Sequence, residues 1–116
     1  PLTGNVVEGN SISGFESSGI VVGTGSTGNT IRDNVTTGNG QYGIASTGNA
    51  AGNSFAHNRS SDNTGFDCFD ETAGLGTAGT ANTWFGNTGK TSGKRKDRNV
   101  PCHVRQGFYA ARVKQR

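Results

Sequence analysis

Gly28-Asn29-Thr30-Ile31-Arg32-Asp33-Asn34 decides the fold, because it is one of four versions of a single seven-residue pattern. Gly4-Asn5-Val6-Val7-Glu8-Gly9-Asn10 precedes it, and Gly52-Asn53-Ser54-Phe55-Ala56-His57-Asn58 follows. A fourth version, Ala81-Asn82-Thr83-Trp84-Phe85-Gly86-Asn87, comes last. Asn5, Asn29 and Asn53 are 24 residues apart, as are Asn10, Asn34 and Asn58. Val7, Ile31, Phe55 and Trp84 fill one apolar column between those asparagines. A second landmark, glycine followed by an apolar residue, returns at Gly19-Ile20, Gly43-Ile44 and Gly65-Phe66, with spacings of 24 and 22.

A unit this short cannot bury a hydrophobic face alone. Stacking solves the problem, because each coil then pairs its backbone with the next at a strand spacing of about 4.8 Å. The apolar runs are too short for helices, and each interior glycine would cost a helix about 1 kcal/mol. The unit therefore reads as a strand over Val6–Glu8, a turn at Gly9-Asn10, a strand near Ile12, a loop, and a strand over Ile20–Val22. Asparagine tolerates the left-handed turn conformation. Stacked in register, Asn10, Asn34, Asn58 and Asn87 would form an internal amide ladder.

Composition sharpens this reading. Glycine supplies 20 of 116 residues and hydrophobic types only 29%, a balance that would suggest disorder if the apolar residues did not recur at fixed spacing. Charge is divided along the chain: residues 1–89 carry a net −5 and residues 90–116 a net +8. The basic isoelectric point thus belongs to the tail, and a basic body that would grip nucleic acid or a membrane surface is absent. No apolar run approaches the length of a membrane span.

The pattern Asn-x-[Val/Ile/Phe]-x-x-Asn followed by Gly-[Ile/Phe] resembles the parallel β-helix repeat of pectate-lyase-like proteins, over about residues 1–89. The stretch from Thr77 to Gly89 looks like the last coil of secreted bacterial members of that group. The resemblance implies an all-β, single-stranded, right-handed parallel β-helix with about 24 residues per coil. It implies a secreted, extracellular protein, and a C-terminal cysteine that closes the domain, which is where Cys102 fits. The expected division is coils over 1–92 and a basic cap or tail over 93–116. The repeat begins almost at once, so upstream coils, or self-association at an open N-terminal end, are expected partners of that end. The chain accordingly reads as the C-terminal piece of a longer β-helix protein.

Several motifs compete with the repeat and lose. Gly23-Thr-Gly25-Ser-Thr-Gly28 and Gly74-Leu-Gly76-Thr-Ala-Gly79 fit the dinucleotide pattern, but no helix follows to meet a phosphate. Asn34-Val-Thr36 and Asn58-Arg-Ser60 are glycosylation sequons whose asparagines fall in the ladder column, where the side chain should point inward. Lys94, Arg95, Lys96 and Arg98 form a basic cluster without an accompanying recognition motif, so a solvated cap is preferred to nucleic-acid binding.

Charged residues gain interest once they are set in columns. Glu8 stacks beside Arg32, and Asp33 beside His57. Arg59 follows His57 by two residues and Asp62 lies in the next loop. A carboxylate near an imidazole or guanidinium is what proton abstraction from an acidic sugar requires. Asp33, His57 and Arg59 are therefore the candidate catalytic residues, and Glu8, Arg32 and Asp62 the candidate substrate-binding ones. Asp67, Asp70 and Glu71 form a second acidic cluster; as oxygen donors they are the candidate ligands for Ca²⁺, although the spacing is not that of a known calcium loop. The alternative for that cluster is a polar loop tied down by a Cys68–Cys102 bridge, which would add about 3 kcal/mol.

By resemblance, the expected function is binding or processing of polysaccharide by a lyase, hydrolase or epimerase-like protein. A non-catalytic structural or adhesion solenoid is the alternative. Ice binding ranks third, because Thr24, Thr27, Thr36, Thr37 and Thr47 are too irregular for a repeated hydroxyl face.

Overall fold

The computed structural model describes residues 2–90, 92–93 and 101–103. Wherever glycine or asparagine interrupts an apolar-alternating run, the chain turns, so among the described residues no strand exceeds three residues. The first coil holds β1 (Val6–Glu8), β2 (Ser11–Ser13) and β3 (Ile20–Val22), and the second β4 (Thr30–Arg32), β5 (Val35–Thr37) and β6 (Ile44–Ser46). The third holds β7 (Ser54–Ala56), β8 (Arg59–Ser61) and β9 (Cys68–Asp70), and a fourth adds β10 (Thr83–Phe85) and β11 (Ser92–Gly93). Equivalent strands stack into three parallel sheets, β1-β4-β7-β10, β2-β5-β8 and β3-β6-β9-β11. In register, Val7 meets Ile31, Ile31 meets Phe55 and Phe55 meets Trp84.

Alternation within each short strand separates core from surface. In the first sheet the middle residue points inward, giving the column Val7, Ile31, Phe55 and Trp84, which ends in a face-to-face stack of Phe55 on Trp84 at 4.0 Å. In the third sheet the flanking residues point inward, so Ile20, Ile44 and Cys68 share a column. Cys68 is bonded to Cys102, and both are buried.

The corners between strands are held by asparagine. The backbone N–H and Nδ2 of Asn10 both donate to Oδ1 of Asn34; Asn34 donates likewise to Asn58, and Asn58 to Asn87. A second ladder runs through Asn5, Asn29, Asn53 and Asn82 in the same manner. A third begins at Asn39, passes to Asn63, and ends on the carboxylate of Asp67. Each rung satisfies buried corner groups that would otherwise cost about 1–3 kcal/mol apiece.

One landmark needs correction. Gly65-Phe66 does not continue the Gly19-Ile20 and Gly43-Ile44 column; Cys68 pairs with Ile44, and Asp67 follows Gly43. The 24-residue period is kept, so Asp67 stands where Gly43 does one coil earlier, its carboxylate accepting from Asn63 of its own coil, and Gly65-Phe66 falls in the preceding loop. The wider spacing before the fourth unit has its own cause. Among the described residues one 3-10 turn, Thr77–Gly79 with Ala78 buried, lies between β9 and β10, and Thr77 Oγ1 accepts from the Trp84 N–H at 2.9 Å. The basic tail expected over 93–116 lies outside the described residues apart from Gly93 and 101–103.

Candidate functional site

The outer face of β1-β4-β7-β10 carries two columns. One is Val6, Thr30, Ser54 and Thr83; the other is Glu8, Arg32, Ala56 and Phe85. Their outward direction follows from alternation, since the residue between them on each strand is in the core. Arg32 pairs with Glu8, Nε to Oε2 at 3.4 Å, and both side chains stay about half exposed, at 49% and 52%. Phe85 is 65% exposed. Between Arg32 and Phe85 the column holds only the methyl of Ala56, which leaves a notch two strand spacings wide, about 9.6 Å, while the Arg32 guanidinium is held toward Glu8 on the first coil. Hydroxyls of Thr30, Ser54 and Thr83 line one side of it.

The other side of the notch is a corner column of Gly9, Asp33, His57 and Gly86. All four have left-handed backbone, with φ of 72°, 57°, 56° and 69°. Asp33 and His57 are thus held where a side chain is disfavoured by about 1–2 kcal/mol. The His57 ring meets Phe85 edge-on at 5.4 Å, and a Cβ placed on Gly86 would run into that imidazole. The imidazole therefore leans toward the fourth coil. Among the described residues no hydrogen bond joins it to Asp33.

The remaining candidates are placed elsewhere. Arg59 is exposed at the start of β8, in register with Val35 and Thr88, on the neighbouring sheet. Asp62 occupies the next corner, at φ 57°, in a column with Gly14 and Gly38. The six residues therefore divide: Glu8, Arg32, Asp33 and His57 flank one notch, while Arg59 and Asp62 lie around the solenoid from it. Phe85 and the hydroxyl column escape a sequence reading focused on charge, although the spacing of Phe85 from the inward Trp84 signals an outward ring.

Of the acidic cluster, Asp67 and Asp70 are buried and Glu71 is exposed. Asp67 accepts from Asn63 and from the Lys90 N–H. Asp70 accepts from Trp84 Nε1 at 2.7 Å, from Asn82 Nδ2, and from both the N–H and the hydroxyl of Thr72. Glu71 accepts from the Gly48 N–H. Among the described residues no group of three such side chains is arranged to hold a metal ion.

The family model described as right-handed β-helix region matches residues 2–89. The chain belongs to that family. No curated protein and no solved structure matches the chain. In this right-handed β-helix the notch spans the second, third and fourth coils of the β1-β4-β7-β10 face.

Proposed function

We propose that this β-helix is an extracellular polysaccharide-binding protein that holds a uronate-bearing chain along the β1-β4-β7-β10 face. The observation that carries the reading is the notch over Ala56, with Arg32 on one edge and Phe85 on the other. An aromatic ring offers the apolar face of a sugar a stacking surface, and a guanidinium matches a carboxylate in bidentate geometry. Glu8 now occupies Arg32, but an exposed pair of this kind is worth at most about 1 kcal/mol and exchanges readily for a ligand carboxylate. The hydroxyls of Thr30, Ser54 and Thr83, repeated at the strand spacing, suit successive sugar hydroxyls. A disulfide between Cys68 and Cys102 fits an oxidising compartment.

The test is affinity electrophoresis and calorimetry with polygalacturonate and alginate. Binding should weaken at least tenfold in both Arg32→Ala and Phe85→Ala, and the loss in Arg32→Ala should shrink at high salt. Unchanged binding in both variants would refute the assignment to this face. The same incubations, followed for new reducing ends and unsaturated products, decide whether the chain that binds is also cut. Turnover lost in His57→Ala would give the imidazole at the notch edge a catalytic role.

A further inference from the structure

Asn39-Gly40 is the only asparagine–glycine step in the sequence, and the fold requires both residues. Asn39 is 1% exposed and opens the third ladder. Its backbone N–H and Nδ2 donate to Asn63 Oδ1, and its own Oδ1 accepts from the Phe15 N–H at 3.1 Å. Gly40 lies so close to the first coil that a Cβ there would run into the Glu16 carbonyl. The peptide between them is clamped from both sides. The Gly40 N–H donates to the Phe15 carbonyl at 2.7 Å, and the Asn39 carbonyl accepts from the Thr64 N–H at 2.9 Å.

We infer that Asn39-Gly40 is a latent deamidation site, which the folded stack holds inert and the unfolded chain opens to an intramolecular reaction. In a free chain glycine leaves its backbone nitrogen unshielded. That nitrogen attacks Cγ of Asn39 and gives up its proton, while the Cγ–Nδ2 bond breaks and Nδ2 departs with that proton as ammonia. Water then opens the resulting succinimide at either carbonyl, leaving aspartate or isoaspartate, with no oxidation or reduction. In the stack the attack is blocked, because the nitrogen is engaged with the first coil and the leaving amide with the third. Swinging one onto the other breaks hydrogen bonds to both neighbours. The reaction therefore runs through opened states, at a rate set by how often the coils separate. Its products do not fit the place they came from. Aspartate would set an anionic oxygen against Asn63 Oδ1 in a buried corner. Isoaspartate would lengthen the backbone by a methylene just where Gly40 packs against Glu16. Unfolding that lasts long enough is thus made permanent by the chain's own chemistry.

The experiment ages the oxidised full chain in heavy-oxygen water at mildly alkaline pH, native and in guanidinium chloride, and maps the incorporated label by peptide mass spectrometry. In denaturant Asn39 should acquire label ahead of every other asparagine. In the native chain it should do so at least tenfold more slowly. After the denaturant is diluted away, brief proteolysis should spare the unlabelled chains and digest those labelled at Asn39. Equal rates at Asn39 in the two states, another asparagine leading in denaturant, or labelled chains as resistant as unlabelled ones would overturn the inference. If even fresh chains fail to refold, Asn39→Asp expressed directly replaces the last arm. It must then show a lower denaturant midpoint than wild type, and an unchanged midpoint counts against the inference.

Discussion

Asn58 Nδ2 stands 2.8 Å from Asn87 Oδ1 and 2.9 Å from the Ile31 carbonyl, so one amide joins three consecutive coils. Both of its protons are spent on acceptors that belong to other rungs, and its own Oδ1 receives two donors from Asn34. The ladder has a direction: oxygen toward the N-terminal neighbour, nitrogen toward both sides.

Direction makes Asn58→Asp a severe change. The carboxylate keeps the acceptor for Asn34 but sets an anion against the Ile31 carbonyl and Asn87 Oδ1 in a fully buried corner. Loss of stability by about 3–5 kcal/mol is expected at neutral pH, read as a fall in denaturant midpoint. A midpoint within experimental error of wild type would contradict the ladder.

His57→Gly should stabilise the fold while Asp33 stays in place. Gly9 and Gly86 already occupy the same left-handed corner, and removing a side chain there relieves about 1 kcal/mol after the entropy of glycine is counted. A rise of a few degrees in melting temperature is expected. A fall would mean that the edge contact of His57 with Phe85 outweighs the backbone cost.

Gly43→Ala should destabilise by several times as much as Gly52→Ala. A Cβ at Gly43 would run into Ser60 Oγ, Asn63 Nδ2 and the Asp67 carbonyl, whereas Gly52 has open space around it and only its left-handed φ of 71° to oppose the change. Equal melting temperatures for the two variants would disprove the close approach.

Neither sequon should carry a glycan when the protein passes through a glycosylating secretory pathway. Asn34 and Asn58 are 0% exposed and their amide nitrogens are fully committed to the ladder. Intact mass should match the unmodified polypeptide. A folded product with a sugar on either asparagine would be incompatible with this stack.

Much of the fold is legible because its two main columns repeat one chemistry every 24 residues, widening to 29 only before the fourth unit. Asn10 through Asn87 and Val7 through Trp84 announce themselves. The third ladder does not, because after Asn39 and Asn63 it ends within the third coil on Asp67, which occupies the column of Gly19 and Gly43 and so breaks the glycine landmark. Gly65-Phe66 resembles the landmark more closely than Asp67-Cys68 does, but backbone pairing follows the rung, not the residue type. At the site, charge in columns finds Glu8, Arg32, Asp33 and His57. It misses Phe85, since an aromatic beside Trp84 reads as more core. The left-handed state of Asp33 and His57 was signalled only by the glycines at either end of their column.

The Cys68–Cys102 bond has a mechanical consequence. Pulled from its two ends, a stack whose rungs touch only their neighbours should open coil by coil, each 24-residue coil paying out about 80 Å of chain. The 33 residues between the bonded cysteines are shorted out of that extension, so the fourth coil bears load as a closed loop fastened to β9. Under tension the oxidised protein should therefore yield from its N-terminal side, and about 120 Å of contour should appear only after reduction.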